Sequence, residues 1–255
     1  MIEAKNLFTS YGKKEVLKDV SLTFDKGLFT AIAGPNGCGK TTLLKTIMGI
    51  TKIKSGCIFA DCKNISLYSE KELSRKIAYL PQGRKIPDMT VKSLVLHGRF
   101  PHTNFTGIYK SSDHQAAFDA MEKLSLLPFA DLTIASLSGG MRQNVFIAMA
   151  LCQDTDYILL DEPTTYLDIS NQIKLMMLLK KLAAEGKGII AVLHDLPLAL
   201  SFSDKIAVME DGRITAYDTP EKVYASGVIK NVFGSEIKKS EAGKSFYFEF
   251  NPRGD

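Results

Sequence analysis

A glycine-rich loop between an apolar strand and an apolar helix constrains the fold of this chain more than any other feature. The loop, Gly34-Pro35-Asn36-Gly37-Cys38-Gly39-Lys40-Thr41, fits the pattern GxxxxGK[ST] and is extended by Thr42. Its glycines let backbone N–H groups converge on phosphate oxygens, Lys40 supplies positive charge at the β- and γ-phosphates, and the Thr41 hydroxyl can coordinate Mg²⁺. The sequence therefore predicts a nucleotide site at a strand-to-helix turn.

Three continuous apolar runs predict strands that are buried on both faces. They are 29–33, 157–160 and 189–193. Such runs are typical of a parallel sheet flanked by helices, whose carboxyl ends bind ligands. In 2–24, by contrast, apolar and polar residues alternate, which predicts antiparallel strands with one solvent face. The predicted fold class is therefore α/β, with an N-terminal antiparallel β subdomain.

The middle of the chain changes to helix-compatible segments. Residues 93–98 and 113–126 are predicted to be helical, and 99–112 is looser. We interpret 83–136 as a helical subdomain inserted into a core formed by 1–82 and 137–230. Residues 231–255 form a C-terminal extension in this interpretation, with a terminal strand at 245–250.

Two adjacent acidic residues follow the second buried run, at the edge where ligands bind. Asp161 is the candidate to hold Mg²⁺, and Glu162 is the candidate to orient and deprotonate the attacking water. The alternative is a helix cap formed by the acidic pair before Pro163. Gln82 and His194 also follow predicted strands, and each could reach the γ-phosphate or its water.

One aromatic residue near the N-terminus has two interpretations. Tyr11 lies between the two predicted N-terminal strands, where its ring could stack on adenine. A tyrosine that only packs against its neighbours is equally compatible with the pattern.

A second glycine-bearing loop, Leu137-Ser138-Gly139-Gly140-Met141, lies between the phosphate loop and the acidic pair. It opens a helix and is not expected to reach the nucleotide bound by its own chain. We therefore expect an ATPase whose site is completed by a second copy. Each nucleotide motif occurs once in the sequence, so we expect one chain to supply half of an assembly with two nucleotide sites.

Composition excludes several classes of protein. With 255 residues and 45% hydrophobic composition, the chain can bury a full core. Its four cysteines have no CxxC spacing, which favours a reducing compartment over a disulfide framework or a zinc site. No run of about 18 apolar residues predicts a transmembrane helix. The net charge of +4 is scattered in short pairs, so no nucleic-acid partner is expected.

Together these motifs resemble the nucleotide-binding subunit of ATP-binding cassette (ABC) transporters, from Tyr11 to about Tyr224. Tyr11 resembles the family's adenine-stacking aromatic, 34–42 the Walker A loop, Gln82 the Q-loop glutamine, 137–141 the signature loop, 157–162 the Walker B strand with its catalytic glutamate, 166–168 the D-loop, and His194 the switch histidine. One departure is Met141, where glutamine is usual.

The resemblance implies a P-loop NTPase core that uses ATP and Mg²⁺, with Thr41, Gln82 and Asp161 around the metal. It also implies a head-to-tail dimer. In that dimer each ATP lies between the Walker A loop of one copy and the signature loop of the other, where Ser138, Gly139 and Gly140 face the γ-phosphate.

The stretches 90–102 and 162–169 are similar to those of importers of iron siderophores, haem and cobalamin. This similarity implies transmembrane permease partners that contact 83–99, and an extracytoplasmic substrate-binding protein as an indirect partner. It also implies a cytoplasmic position, peripheral on the inner face of the cell membrane.

Two alternative functions share the same motifs. A soluble ABC-type ATPase for iron–sulfur cluster assembly or nucleoprotein remodelling would have identical phosphate chemistry. A regulatory module without turnover would lack Glu162 or His194, and both are present.

Overall fold

The fold is taken from a computed structural model, which describes residues 1–103, 107–234, 237–240 and 246–248. The strands in chain order are β1 (Ile2–Tyr11), β2 (Lys14–Phe24), β3 (Phe29–Ala33), β4 (Ser55–Ala60), β5 (Lys63–Asn64), β6 (Ile77–Leu80), β7 (Tyr157–Asp161), β8 (Gly188–Val192), β9 (Lys205–Glu210), β10 (Arg213–Asp218), β11 (Ile237–Lys239) and β12 (Phe246–Phe248). The α-helices are α1 (Lys40–Ile47), α2 (Glu70–Ser74), α3 (Val91–His97), α4 (Ser111–Lys123), α5 (Gly139–Cys152), α6 (Ile169–Ala184), α7 (Leu196–Phe202), α8 (Pro220–Ala225) and α9 (Val228–Phe233).

The chain forms two compact units. The first comprises Met1–Ile65 and Met176–Asp255, and the second comprises Ser66–Leu175. The second unit includes the whole of the predicted helical segment 83–136. The subdomain boundaries given above stay a prediction.

The first unit contains the predicted antiparallel subdomain. Strand β1 pairs antiparallel with β2 on one side and β4 on the other, and β5 extends the sheet in the order β2-β1-β4-β5. Leu7, Val20 and Ile58 are fully buried, whereas Lys5 and Asp19 are exposed. One face of this sheet therefore packs into the core, as the alternation of residues predicts.

A second group of strands in the first unit supports the phosphate loop. Strand β3 pairs in parallel with β8 and with β9, and β10 pairs antiparallel with β9. Every residue of β3 and of β8 is buried. Such strands lose water from both faces, which explains why their sequences are continuous apolar runs.

The second unit contains the parallel strand pair β6 and β7 together with helices α3, α4 and α5. All five residues of β7 are buried, including Asp161 at its carboxyl end. Helix α3 passes close to α5 at Gly98, where an added Cβ would lie 2.2 Å from the Met149 carbonyl oxygen. A partly buried ion pair between Arg99 Nε and Asp113 Oδ1, 2.9 Å long, lies near the start of α4.

The predicted helices are present, with boundaries set by capping groups. Helix α3 starts two residues before the predicted 93–98, because the Thr90 hydroxyl caps it by accepting the Ser93 N–H. Helix α4 covers 111–123 rather than 113–126 and ends before Ser125, whose φ is +55°. The looser stretch 99–112 contains a 3₁₀ turn at Phe100–His102.

The predicted terminal strand 245–250 is described only in part. Strand β12 covers Phe246–Phe248 and pairs antiparallel with β11. Positions 245, 249 and 250 lie outside the described residues. The Phe246 N–H donates to the Ser201 hydroxyl of α7 at 3.1 Å, so β12 is attached to the first unit.

Candidate functional site

The phosphate loop connects β3 to α1 through two residues in the left-handed backbone region. Gly37 has φ +79° and Gly39, the N-cap of α1, has φ +109°. Glycine adopts these angles without the steric penalty that a Cβ would bring. No side chain caps α1, so its first-turn N–H groups suit an external anion such as a phosphate.

The Lys40 side chain is held against the phosphate loop by hydrogen bonds to the backbone of that loop. Its Nζ donates hydrogen bonds to the carbonyl oxygens of Gly34 at 2.7 Å and Pro35 at 2.8 Å. The residue is 6% exposed, although its side chain carries a charge. The ammonium group is therefore fixed in the phosphate loop, together with the neighbouring Thr42, which is also buried.

Packing behind the loop requires a residue without a side chain. A Cβ on Gly34 would lie 2.3 Å from the Met209 carbonyl oxygen and 2.7 Å from Cys38 Sγ. The Cys38 carbonyl accepts the N–H of Gly212 at 3.0 Å, which ties the loop to the β9–β10 turn. Burial raises the pKa of the Cys38 thiol, so this cysteine is protonated at neutral pH.

Tyr11 and His194 occupy exposed positions of the first unit. Tyr11 is the last residue of β1 rather than a residue between strands, because it still pairs with Lys14 of β2. The residue is 52% exposed, and its hydroxyl hydrogen-bonds with the Thr51 hydroxyl at 3.1 Å. His194 is exposed and follows β8, and the next residue, Asp195, caps α7 by accepting the Leu198 N–H.

In the second unit, the structure brings Gln82 and Glu162 together. The Gln82 side-chain amide donates to Glu162 Oε2 at 2.5 Å. Asp161 is fully buried at the end of β7, and its Oδ2 lies 3.5 Å from the Tyr79 hydroxyl. The two adjacent acidic residues therefore have different surroundings, and only Glu162 has its backbone in the left-handed region, with φ +54°.

The alternative interpretation of the acidic pair, as a helix cap before Pro163, is wrong. The next helix is α6, which starts at Ile169. Its first turn is capped by Asp168, whose Oδ1 accepts the Asn171 N–H at 2.8 Å. Since another residue caps this helix, capping does not account for Asp161 and Glu162.

The second glycine loop leads directly into α5. Ser138 is the N-cap, and its hydroxyl oxygen accepts the Met141 N–H at 3.3 Å. The hydroxyl hydrogen of Ser138 remains able to donate to another acceptor. Met141, which replaces the family's usual glutamine, contributes a backbone N–H to this cap.

Glycine is not required at the start of α5 by packing within the chain. A Cβ on Gly139 would come no closer than 3.6 Å to another atom, and one on Gly140 no closer than 3.5 Å. Both are ordinary van der Waals distances. This observation is consistent with the close approach of another molecule.

Two residues that the sequence did not indicate, Arg84 and Gln143, link the segment after β6, helix α5 and the segment after β7. Gln143 is 5% exposed and donates to the Pro163 carbonyl at 2.7 Å. Its Oε1 accepts a hydrogen bond from Arg84 Nη2 at 2.9 Å. A glutamine among the apolar residues of α5 is the only sequence signal that could have pointed to this arrangement.

The residues predicted to hold Mg²⁺ have chemistry that suits the ion. A hydroxyl, an amide oxygen and a carboxylate are hard oxygen ligands, which Mg²⁺ prefers. Thr41 belongs to the first unit, and Gln82 and Asp161 belong to the second.

Among the described residues, no helix has the length and hydrophobicity needed to cross a membrane.

The sequence is similar to those of proteins named as ATP-binding proteins of transport systems. Residues 17–165 match the family model described as ABC transporter. The chain is 39% identical to the petrobactin import ATP-binding protein FpuD of Bacillus anthracis over 241 residues, which is 94% of this chain and 88% of that protein. It is also 39% identical to the ferric enterobactin transport ATP-binding protein FepC of Escherichia coli, over 91% of this chain and 87% of that protein.

The fold of this chain is similar to that of a solved ATP-binding cassette. A dimeric structure of the ATP-binding cassette MJ0796, in a post-hydrolysis state with ADP and phosphate, matches with a TM-score of 0.76 and 30% identity. The match covers 86% of this chain and 99% of that chain. The similarity in sequence and in fold therefore extends over most of the chain.

Proposed function

Because the chain belongs to the ABC transporter family as an ATP-binding subunit, we propose that it hydrolyses ATP to drive a membrane importer. The proposed cargo is an iron complex, such as a siderophore or haem, or cobalamin. One observation carries this proposal: the 39% identity, over more than nine-tenths of the chain, to a protein named for ferric enterobactin transport.

Each predicted site residue receives a role in this proposal. Tyr11 stacks on adenine, residues 34–42 bind the phosphates, and His194 contacts the γ-phosphate. Mg²⁺ would be held by Thr41, Gln82 and Asp161, and when bound it neutralises phosphate charge. The uncapped N-terminus of α1 and the buried ammonium of Lys40 support the phosphate role.

Glu162 acts as the general base in the proposed reaction. Its carboxylate orients the attacking water and accepts a proton from it. The hydrogen bond from Gln82 to Oε2 fixes the orientation of this carboxylate. Asp161 is less suited to this role because its side chain is fully buried.

Two copies form the active enzyme in a head-to-tail dimer. Ser138, Gly139 and Gly140 of one copy contact the γ-phosphate bound by the other. The Ser138 hydroxyl supports this arrangement, because it accepts the Met141 N–H and keeps its own hydrogen for donation, and packing within the described chain does not require either glycine. The positive end of the α5 dipole would then stabilise the phosphate charge.

The remaining partners are transmembrane permease subunits, which contact 83–99, and indirectly an extracytoplasmic substrate-binding protein. The subunit therefore works at the cytoplasmic face of the membrane. No nucleic-acid partner is proposed.

The test uses Glu162→Gln, which removes the base but keeps the shape of the side chain and an acceptor for Gln82. We expect turnover to fall on the order of a hundredfold or more, while ATP binding remains and a dimer accumulates. The trapped protein is solubilised from native membranes with Mg-ATP, and the copurifying proteins are identified by mass spectrometry. Glu221→Gln, at an exposed residue of α8, is the matched control.

Recovery of a permease with an iron-chelate or cobalamin binding protein would support the importer. Recovery of cluster-assembly or nucleic-acid proteins without a membrane partner would contradict it and favour the soluble ATPase. Normal turnover in Glu162→Gln would refute the assignment of the base.

A further inference from the structure

The Arg84 guanidinium is held in one orientation by its neighbours in the second unit. Its Nε donates to the Pro81 carbonyl at 2.8 Å, and its Nη2 donates to Gln143 Oε1 at 2.9 Å. The guanidinium carbon lies 4.4 Å from the centre of the Phe146 ring, which is a cation–π contact. Because the guanidinium is planar and rigid, these contacts fix the directions in which Nε and Nη2 donate.

The orientation of Arg84 also determines the orientation of the Gln143 amide. An amide side chain carries an acceptor oxygen at one end and a donor NH₂ group at the other. Since an arginine nitrogen can only donate, it selects the orientation in which Oε1 of Gln143 faces it. The NH₂ group then faces the Pro163 carbonyl, to which it donates at 2.7 Å. Arg84 and the Pro163 carbonyl therefore select the same orientation of this buried amide.

These contacts end beside the hydrogen bond that the Gln82 amide donates to Glu162 Oε2. Pro81 accepts from Arg84 and directly precedes Gln82 in the chain. Pro163 accepts from the amide described above and directly follows Glu162. One guanidinium therefore holds, on both sides, the backbone segments that carry the hydrogen-bonded pair.

The backbone at Glu162 depends on such support. Its φ of +54° lies in the left-handed region, which is unfavourable for glutamate and persists only where the surroundings impose it. The segment that follows is a turn, in which the Thr165 N–H donates to the Glu162 carbonyl at 3.3 Å and the Leu167 N–H donates to the Thr164 carbonyl at 3.2 Å. The amides of Thr165 and Leu167 therefore report on the conformation of this segment.

The burial of Arg84 has a cost to stability. Its Nη1 is buried, and within the described part of the chain it makes no hydrogen bond. Burial lowers the pKa of Arg84 to about 10, so the group still carries its charge at neutral pH. A buried charge with an unpaired donor is unfavourable. A purely stabilising role therefore fits Arg84 less well than a role in the geometry of the candidate site.

Resting on the role proposed above for Glu162, we propose that Arg84 is a positioning residue for ATP hydrolysis. It holds the Gln82 amide and the Glu162 carboxylate in the arrangement in which the carboxylate faces the attacking water. Arg84 acts through these two residues and is not expected to touch ATP. A misplaced base slows the chemical step and leaves nucleotide binding unchanged. Loss of Arg84 should therefore lower kcat and leave KM for ATP nearly unchanged.

The first measurement is amide hydrogen exchange of the nucleotide-free, full-length subunit. Arg84→Met removes the guanidinium donors and keeps an apolar stem. We expect the protection of the Thr165 and Leu167 amides to fall by about tenfold. Arg75→Met is the matched control, because Arg75 also donates from Nε to a proline carbonyl, that of Pro101 at 2.8 Å, but at an exposed site. It should leave the exchange of both amides unchanged.

The second measurement is ATPase kinetics of the same variants. We expect Arg84→Met to lower kcat on the order of tenfold to a hundredfold and to change KM by less than about twofold. In the Glu162→Gln background the same replacement should lower the residual rate by less than about twofold, because a positioning residue has no effect once the group that it positions is removed. A general structural defect would lower the rate in both backgrounds. Arg75→Met should change neither constant.

Arg84→Lys is a second variant that keeps the positive charge, and it replaces the methionine variant if that one does not fold. A lysine ammonium lacks the planar fork with which arginine reaches two acceptors. We therefore expect changes in exchange and in kcat in the same direction as for Arg84→Met, but smaller. The thermal shift given by Mg-ATP reports that each variant is folded and binds nucleotide.

The outcomes separate this inference from the proposed function. Absence of ATPase activity in the wild-type subunit, or normal turnover in Glu162→Gln, would contradict the proposed function. Unchanged amide exchange in the Arg84 variants would overturn the inference alone, whatever the activity. An equally large loss of rate in the wild-type and Glu162→Gln backgrounds would also overturn it, and so would a raised KM with an unchanged kcat.

Discussion

Replacing Gln143 by leucine removes one buried and one partly buried hydrogen bond while keeping a side chain of similar volume. In the folded protein the glutamine donates to the Pro163 carbonyl and accepts from Arg84 Nη2. Leucine can do neither. The carbonyl and one N–H of a charged guanidinium are then left without their protein partner in a site that is 5% exposed at position 143.

The size of the effect follows from these two contacts. A hydrogen bond to a charged group contributes about 1.5–3 kcal/mol, and a neutral one about 0.5–1.5 kcal/mol. Burial of leucine offsets part of this loss. We therefore expect Gln143→Leu to lower the free energy of unfolding by about 2–3 kcal/mol, which corresponds to a fall of about 4–12 °C in Tm for a protein of this size.

Thermal unfolding of the nucleotide-free subunit measures this directly. Gln115→Leu is the matched control, because Gln115 makes a single hydrogen bond to Asp119 on the exposed surface of α4. Its loss is expected to cost about 0.2–0.5 kcal/mol. If Gln143→Leu shifted Tm no more than Gln115→Leu does, the two hydrogen bonds would have no net stabilising effect and the reasoning would be refuted.

Three further changes test other parts of the molecule. Lys40→Ala should abolish the thermal shift that Mg-ATP gives by mass action, and an unchanged shift would show that this loop is not the nucleotide site. Gly98→Ala places a Cβ 2.2 Å from the Met149 carbonyl, and should lower the free energy of unfolding by about 1–3 kcal/mol in a denaturant titration; Gly83→Ala, where the Cβ meets open space, is its control. Mixing Ser138→Arg with Lys40→Ala subunits should give heterodimers with at most one working site, and no recovery of ATPase activity at any mixing ratio would argue against composite sites.

The sequence alone predicts those features that depend on local pattern. The buried strands β3, β7 and β8 are continuous apolar runs, since both faces of each strand lose water. The phosphate loop is predictable because phosphate binding demands glycines and a lysine in one short segment. The similarity to relatives agrees with the family that these motifs indicate.

Features that depend on distant partners were not predictable in this way. Arg84 and Gln143 are 59 positions apart, and nothing in either local sequence specifies that their side chains meet. Helix α2 was also missed because it is only five residues long, although Ser69 and Glu72 form a capping box at its start. Short elements carry too few periodic positions for a pattern to distinguish them from a turn.

The backbone conformation at Glu162 shows how contacts between residues far apart in the sequence affect the candidate site. A left-handed conformation is unfavourable for glutamate and persists only where its surroundings impose it. Three contacts do so here: β7 holds the preceding Asp161, Gln143 holds the following Pro163 carbonyl, and Gln82 holds the Glu162 carboxylate. The sequence predicts Glu162 as the base by residue type and position. Its orientation depends on residues outside the motif, so loss of Gln143 should disturb the carboxylate that we propose as the base, even though that glutamine is not expected to touch ATP.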